Sequence, residues 1–247
     1  QVFLVDPTPV GGVTATIDGL KVTGGVDNVY GGGALLGGSP DPAAPDTLVV
    51  KNSEFSGNKA NTVAGNANPG GAIQFVGGSL TVTNSVFSGN YAGAGSGGAI
   101  YYQSVGTVGQ ALSISGSTFS GNVAKATNAT GGAGVAVSDP GGAASLSITG
   151  STFDSNSVTA GTGLFRGAGV WLDGGALTVS GSTFTGNQNS TGGGSAVGVT
   201  GGTLTAQYNR ITGNSGVGVA NLGGTVTAKS NWWGCAGAPG ASGCDTV

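Results

Sequence analysis

The feature that most constrains the fold is a short phrase that returns along the chain. It reads NSEFSGN at 52–58, NSVFSGN at 84–90, GSTFSGN at 116–122, GSTFDSN at 150–156 and GSTFTGN at 181–187. The apolar residues at its centre, with their degenerate first and last copies, are Val22, Phe55, Phe87, Phe119, Phe153, Phe184 and Ile211. Their successive spacings are 33, 32, 32, 34, 31 and 27 residues. A period in this range indicates a solenoid or another repeat architecture.

Each repeat contains two further short segments. GGAIQF at 70–75 is echoed by segments at 97–102, 132–137, 167–172 and 194–199, and LTV at 80–82 is echoed at 112–114, 146–148, 177–179 and 204–206. Alternating runs this short, bounded by Gly, Asn and Ser, are typical of strands. The sequence therefore predicts an all-β fold, a right-handed parallel β-helix (β-solenoid) of about eight coils with three short strands in each.

The repeat covers the chain, so we predict one parallel β-helix domain over residues 1–247. Residues 1–12 would form an incomplete first coil or an N-terminal strand, and residues 231–247 a C-terminal cap. A solenoid end exposes strand edges that must be capped or paired. The N-terminal QVFLV has no obvious cap before it. We therefore expect either that preceding coils have been cut away, or that this end stacks on, or lends its strand to, another subunit.

Two columns of like residues are expected along the solenoid axis because neighbouring coils lie about 4.8 Å apart. One is the aromatic column Phe55, Phe87, Phe119, Phe153 and Phe184, which should fill the core. The other is the asparagine column Asn58, Asn90, Asn122, Asn156, Asn187 and Asn214. An amide at a corner can bond the turn backbone and its neighbour, and Asn tolerates a left-handed backbone. Both columns are predicted to be structural.

Composition excludes several classes of partner. Gly accounts for 54 residues, but 38% of the chain is hydrophobic and the net charge is only −3, so the chain should fold. Seven scattered Lys and Arg residues do not provide the basic surface that nucleic acid requires. No apolar run reaches the length of a membrane span, so we expect no membrane insertion by this chain.

Cys235 and Cys244 are the only cysteines, nine positions apart near the C-terminus. Two thiolates cannot complete a tetrahedral metal site, so a disulfide is the better interpretation. Structural disulfides persist in oxidising compartments. The pair therefore predicts an extracellular or cell-surface location.

The repeated GGA[I/V] and FxxN elements resemble the polymorphic outer-membrane-protein repeat and, more broadly, secreted bacterial right-handed parallel β-helix proteins. The C-terminal NWWGCAGAPGASGCDTV is similar to the motif that closes the helix in many of them. The resemblance spans roughly residues 13–247 and implies the fold. It says little about function, since such proteins include adhesins and other surface proteins.

Parallel β-helices also include polysaccharide lyases and hydrolases, whose chemistry needs converging carboxylates or a positioned base. The ten acidic residues are scattered and His is absent. Asp139 and Asp173 approach each other most closely, with Arg166 before the second, and either a loop cluster or two solvated acids would fit. We predict no catalytic residue, no cofactor and no metal ion.

The outward positions of the GGAI strand are Gln74, Tyr101, Ala136, Trp171, Gly198 and Ala220. Tyr101 and Trp171 lie two coils apart, about 9.5 Å at the usual spacing. Two accessible aromatic rings can stack on sugars or on another protein. The alternatives are incidental exposure and cover by a loop.

The sequence as a whole predicts a non-catalytic extracellular structural or adhesive protein. It would form a rigid rod at the cell surface, self-assembling end to end into a filament or surface layer, or contacting glycans. The alternative is a carbohydrate-binding or polysaccharide-degrading β-helix module.

Overall fold

The computed structural model of the chain is a parallel β-solenoid. It describes residues 2–5, 12–39, 41, 43–61, 69–106, 109–125, 131–159, 167–190 and 194–247. Within these ranges all regular secondary structure is strand, and every strand pair is parallel. The prediction of an all-β solenoid is confirmed.

The strands follow one another coil by coil. The first four coils contain β1 Phe3–Val5, β2 Thr14–Asp18, β3 Lys21–Thr23, β4 Val26–Asp27, β5 Leu35–Gly37, β6 Asp46–Lys51, β7 Glu54–Ser56, β8 Lys59–Ala60, β9 Ile73–Val76, β10 Gly78–Thr83, β11 Val86–Ser88, β12 Tyr91–Ala92, β13 Ile100–Gln103, β14 Ala111–Ser115, β15 Thr118–Ser120 and β16 Val123–Ala124. The remaining coils contain β17 Val135–Asp139, β18 Ser145–Thr149, β19 Thr152–Asp154, β20 Ser157–Val158, β21 Gly167–Gly174, β22 Ala176–Ser180, β23 Thr183–Thr185, β24 Gln188–Asn189, β25 Ser195–Val199, β26 Thr203–Gln207, β27 Arg210–Thr212, β28 Val217–Asn221 and β29 Thr225–Lys229.

Strands of the same type stack into four sheets that run along the solenoid. Sheet I contains β1, β5, β9, β13, β17, β21, β25 and β28, and sheet II contains β2, β6, β10, β14, β18, β22, β26 and β29. Sheet III contains the seven strands from β3 to β27, and sheet IV the six strands from β4 to β24. Trp232 continues sheet III by a bridge to Arg210. Each coil therefore pairs only with the coils before and after it.

The prediction of three strands in each coil is wrong, because a fourth strand follows the asparagine column in most coils. These sheet IV strands are only two residues long, as in Lys59–Ala60 and Tyr91–Ala92. Two residues cannot display an alternating pattern. The sequence therefore contains no strand signal there, although the backbone pairs from coil to coil.

The core is formed by the inward positions of sheets I, II and III. Ile73, Ile100, Val135 and Val170 of sheet I are all fully buried, as predicted from the alternation. The five phenylalanines of the aromatic column are also fully buried, and their rings stack face to face with centroids 4.8–5.1 Å apart. Like residues meet because the coil register brings Phe55, Phe87 and Phe119 into line.

The corner between sheets II and III requires a left-handed residue in every coil. Its positions are Gly19, Asn52, Asn84, Gly116, Gly150, Gly181, Tyr208 and Ser230, with φ from 48° to 67°. This conformation favours glycine and tolerates asparagine. The phrase therefore begins with Asn or Gly because its first residue makes this corner.

At the corner between sheets III and IV, the left-handed residue is not the column asparagine, as the sequence had suggested. It is the residue before that asparagine, for example Gly57 with φ 61° and Gly89 with φ 59°. The column asparagines themselves are not among the residues with positive φ. Their role at the corner is therefore to hydrogen-bond, and the preceding residue supplies the backbone turn.

Residues 231–247 lie against the last coil. Trp233 is only 6% exposed and occupies the core position that follows Ile211, since Trp232 pairs with Arg210. The backbone of Thr246 accepts a hydrogen bond of 3.0 Å from Val219 N–H of β28. This segment therefore covers part of the end of the solenoid. None of the described residues forms a helix with the length and apolar character needed to cross a membrane.

Candidate functional site

The asparagine column forms a continuous hydrogen-bond ladder inside the solenoid. All six side chains are buried, and Nδ2 of each of the first five donates to Oδ1 of the next at 2.9–3.0 Å. The same Nδ2 also donates to a backbone carbonyl of the previous coil, as Asn122 does to Phe87 at 3.0 Å. The prediction that this amide bonds both backbone and neighbour is confirmed.

The ladder uses the whole hydrogen-bonding capacity of each central amide. Oδ1 of Asn122 accepts from both the backbone N–H and Nδ2 of Asn90, at 3.0 and 2.9 Å. Its two Nδ2 protons go to Phe87 and Asn156. An amide has two donors and one acceptor oxygen with two lone pairs, so nothing remains for a ligand.

The ladder ends on a carboxylate. Asn214 Nδ2 donates at 2.7 Å to Oδ2 of Asp245, which takes the place of a seventh amide oxygen. Asp245 is itself buried, and its backbone N–H donates to Trp233 O at 2.9 Å. Asp245 in the C-terminal segment is therefore a capping residue that sequence reasoning missed. The register of the last coil, which is the shortest, would have been needed to find it.

A second ladder runs along the corner between sheets II and III. The hydroxyls of Ser53, Ser85, Ser117, Ser151 and Ser182 accept the backbone N–H of the coil before, at 3.1–3.2 Å. Each hydroxyl also donates to the carbonyl two residues upstream, as Ser85 does to Thr83 at 2.9 Å. Asn209 and Asn231 continue this ladder in the last coils. The signal was present in the second letter of the repeated phrase, which is Ser in every full copy.

Tyr101 and Trp171 lie on the outer face of sheet I, two coils apart, with Ala136 between them in register. Tyr101 is partly buried, and its hydroxyl donates to Gln103 Oε1 at 3.1 Å. Burial raises the pKa of Tyr101, as does the nearby charge of Asp173. Tyr101 is therefore neither fully buried nor fully exposed.

The prediction that Trp171 is accessible is wrong, since only 4% of the residue is exposed. Its neighbours in the column, Ala136 and Gly198, are buried as well, so the outer face of sheet I is covered at this height. Cover was the alternative interpretation of this column. Trp171 Nε1 finds no hydrogen-bond acceptor in the described part of the chain. The two aromatic rings therefore do not form one open surface.

The two acidic residues after the sheet I strands have different environments. Asp139 is fully buried, accepts a short hydrogen bond from the Ser104 hydroxyl, and accepts Ala144 N–H at 3.2 Å. A side chain at Gly175 in the next coil would collide with this carboxylate. Asp139 is therefore a structural corner residue, and the interpretation of Asp139 as a solvated acid is wrong.

Asp173 is exposed and lies in register beside Ser138. Its Oδ1 accepts the Thr200 hydroxyl at 3.3 Å. Arg166, the third member of the predicted cluster, lies outside the described residues. No group of three His, Cys, Asp or Glu side chains suited to a metal ion occurs among the residues that the structure describes.

Tyr102 faces the core near the same corner and is fully buried. Its hydroxyl donates to Gly78 O at 2.9 Å. Burial raises the pKa of Tyr102 far above its ordinary value, and the Asp139 carboxylate acts in the same direction. The hydroxyl therefore remains protonated and serves as a structural donor.

The C-terminal end carries the predicted disulfide. Cys235 and Cys244 are bonded, with their Cα atoms 5.3 Å apart. Beside this segment an open cleft of about 450 Å³ lies between β28, β29 and the last residue. We call it the tail cleft, and its apolar lining is Val217, Val219, Ala220, Leu222, Val226 and Val247.

The N-terminal end exposes a set of large apolar residues, which we call the head patch. Its members are Val2, Leu4, Val13, Leu20, Val26, Val29 and Tyr30, each 40–66% exposed. Eleven large apolar residues are exposed among those described; these seven are at the first coil, and Trp232 and Val247 are at the other end. Only Val86 and Tyr208 lie elsewhere. Exposed apolar surface is therefore concentrated at the two ends.

Asp27 anchors the chain beneath the head patch. Its carboxylate oxygen accepts the backbone N–H groups of Val29, Tyr30 and Gly31 at 2.7–3.0 Å. Burial raises the pKa of Asp27, but the three donors outweigh it and hold the pKa below the ordinary value. The carboxylate is therefore ionised in the folded chain at neutral pH.

No family profile, curated protein or solved structure matches the chain. The resemblance to polymorphic outer-membrane-protein repeats therefore stays a prediction. The fold and the ladders define the chain as a parallel β-solenoid protein.

Proposed function

We propose that this chain is a non-catalytic extracellular rod with a structural or adhesive role. The proposal rests on one observation, which is that the residues of the repeated phrase serve the fold itself. Its phenylalanines fill the core, and its serines and asparagines bond to neighbouring coils. A side chain whose hydrogen-bonding capacity is already satisfied inside the fold has none left for a substrate. The repeat thus supports a mechanical role.

The sheets and ladders also support rigidity along the axis. Eight strands in each of two sheets, at about 4.8 Å per coil, give an axial length of about 38 Å. Adjacent coils are joined by parallel strand pairing in up to four sheets, and by both ladders. Bending would have to break bonds in several of these at once.

A location outside the cytoplasm is supported by the disulfide between Cys235 and Cys244. Such bonds persist where thiol reductants are scarce. The outward residues of sheet II suit an aqueous environment, because most of them carry a hydroxyl group. The central column of these residues is Thr16, Val49, Thr81, Ser113, Ser147, Thr178, Thr205 and Thr227.

The carbohydrate-binding alternative has one remaining residue in its favour. Tyr101 keeps a partly accessible ring, with the partly exposed Gln74 beside it in register. Trp171 is buried and cannot supply a second stacking surface. A glycan array compares the wild type with Tyr101→Ala. Signal that disappears in the variant would favour the glycan-binding role.

Labelling of native cells tests the proposed location and role together. Antibodies against the chain should bind intact cells, and alkylation without reductant should leave Cys235 and Cys244 unmodified. Label that appears only after permeabilisation, with both thiols free, would contradict the proposal. A further contradiction would be polysaccharide cleavage by the purified chain.

A further inference from the structure

Sheet III anchors the chain just before the first cysteine. The Trp232 N–H donates to Asn209 O at 2.8 Å, and Trp232 O accepts the Ile211 N–H at 2.8 Å. The next residue, Trp233, is buried in the core. Cys235 follows two positions later, so the backbone holds it close to the last coil.

A second anchored segment follows the second cysteine. The Asp245 N–H donates to Trp233 O at 2.9 Å, and Asp245 Oδ2 accepts Nδ2 and the N–H of Asn214 at 2.7 and 3.4 Å. Thr246 O accepts the Val219 N–H at 3.0 Å. Docking of this segment therefore completes the asparagine ladder and gives β28 an acceptor at its edge.

Residues 236–243 connect the two anchored segments and are exposed throughout. They consist of three Gly, three Ala, one Pro and one Ser. Their described hydrogen bonds are local, for example from the Ala241 N–H to Ala238 O at 3.0 Å, and none of those described reaches a strand of the solenoid. Small residues of this kind form flexible connections. The loop backbone therefore contributes little to holding Asp245 in place.

The disulfide bypasses this loop. Cys235 follows the Trp233 anchor and Cys244 precedes Asp245, so the bond joins the two anchored segments directly across nine positions of sequence. A cross-link that closes a loop of this length removes chain entropy equivalent to about a hundredfold in an equilibrium constant. With the bond intact, Asp245 is kept near Asn214. Without it, docking must order the exposed loop as well.

We infer that the Cys235–Cys244 disulfide is a redox-sensitive lock on the last coil. While the bond is intact, Asp245 stays docked on the asparagine ladder. In reduction, two electrons and two protons pass from a dithiol to the cysteine sulfurs, the Sγ–Sγ bond breaks, and the dithiol becomes a disulfide itself. The segment then undocks, and Asn214 Nδ2 and the Val219 N–H lose these acceptors.

The lock is open to reductants in solution. Both cysteines are partly exposed, and the loop between them is exposed throughout, so the bond is not enclosed by the core. The last coil is therefore complete only where disulfides persist. The inference goes beyond the proposed rod, because it concerns when this end of the solenoid is finished and requires no particular role for the finished rod.

The coupling between disulfide and docking acts in both directions. Because the disulfide favours docking, docking must favour the disulfide by the same factor. The Asp245 contact therefore makes the bond harder to reduce, and loss of the contact makes it easier to reduce. A cross-link that merely lies beside the docked segment would not show this reciprocity.

Hydrogen exchange on the purified chain, before and after full reduction with dithiothreitol, tests the lock. The Val219 and Asp245 amides should exchange faster after reduction, by up to about a hundredfold. The Val123 amide, which donates to Asn90 O at 2.8 Å in a central coil, should not change.

Two variants make the test specific. C235S/C244S should exchange like the reduced wild type and should not respond to dithiothreitol. Asp245→Ala keeps both cysteines, and in a glutathione redox buffer its equilibrium should shift toward the dithiol by about tenfold, since Asn214 loses its acceptor. Asp18→Ala is the matched control, because Asp18 is exposed in the first coil, and its equilibrium should equal that of the wild type.

Three results would overturn the lock. They are an unchanged exchange rate at Val219 after full reduction, acceleration at Val123 as large as at Val219, and a reduction equilibrium in Asp245→Ala equal to that of the wild type. None of these results bears on the proposed function, which the labelling of intact cells tests separately. A chain found only inside cells would remove the proposed function and leave the lock in place.

Discussion

At the scale of single residues, the polar positions of the repeat carry the most specific contacts. The central asparagines are buried, and each joins three coils: it accepts from the one before and donates both back and forward. Burial without partners would make such a group costly, so a ladder stabilises only if it is complete. This makes the ladder the most sensitive feature of the fold.

Replacement of Asn122 by Leu should therefore be severe. The N–H and Nδ2 groups of Asn90 would lose their common acceptor, and Phe87 O would lose its donor. At about 1–3 kcal/mol for each unpaired buried group, we expect a loss of about 3 kcal/mol or more in the free energy of unfolding. Urea unfolding measures it.

Asn28→Ala is the control, because this amide is exposed. If Asn122→Leu loses no more free energy of unfolding than Asn28→Ala, the ladder contributes little to stability.

Tyr208 is the residue whose replacement should stabilise the chain. It is 71% exposed and has φ 57°, where every full copy of the phrase has Asn or Gly. The left-handed backbone costs a residue with Cβ about 1–2 kcal/mol, while glycine loses about 0.5–1 kcal/mol in chain entropy. Tyr208→Gly should therefore raise the free energy of unfolding by up to about 1 kcal/mol.

Thermal unfolding of Tyr208→Gly and Tyr30→Gly provides the comparison. Tyr30 is also exposed but is absent from the positive-φ residues, so its replacement should give no gain. Equal effects from the two substitutions would contradict an origin in the backbone conformation.

At the scale of elements, equivalent strands of successive coils stack on one another. The stability that a core residue contributes therefore depends on the residues that lie beside it in the two adjacent coils. Phe119 stacks on both Phe87 and Phe153, at 5.0 and 4.8 Å. Phe55 stacks on Phe87 alone and has Val22 on its other side. Each aromatic pair contributes about 0.5–1.5 kcal/mol beyond burial.

Phe119→Leu should therefore cost about 1 kcal/mol more than Phe55→Leu, since it removes one more ring pair. Both sites are fully buried, so the burial lost is matched. Chemical denaturation of the two variants measures the difference. Equal costs would indicate that ring stacking adds nothing to burial.

The first coil should loosen in acid through Asp27. Its pKa is lowered in the folded chain, so its contribution is present above the unfolded pKa of about 3.9 and is lost as pH falls toward the folded pKa. Hydrogen-exchange protection factors of Val29, Tyr30 and Gly31 should fall below about pH 4.

Asp27→Asn should show reduced protection at neutral pH and no further loss in this range. The Tyr91 amide, which donates to Asn58 O at 2.9 Å, is the reference, because it has no carboxylate acceptor. Protection that falls in parallel at Tyr91 would indicate loss of the whole fold.

Features that recur in every coil were predictable from the sequence, and local exceptions were not. Stacking of Phe119 and bonding of Asn122 follow from period and alternation. Burial of Trp171 depends on what covers one strand in one coil, and Asp139 depends on a Ser104 hydroxyl 35 residues away. Asp245 completes the ladder from a segment outside the repeat. Such contacts have no periodic signal.

At the scale of the whole molecule, the sides and the ends differ in character. The sides present hydroxyls and few large apolar groups, whereas the head patch, Trp232 and Val247 contain nine of the eleven exposed large apolar residues among those described. Large apolar groups are therefore rare on the sides of the described solenoid.

Cryo-electron microscopy of the native material tests whether this chain forms a rigid rod at the cell surface. Rods should be found at the cell surface, with layers about 4.8 Å apart along the axis. Compact particles without axial layering, or material confined to the cell interior, would contradict it.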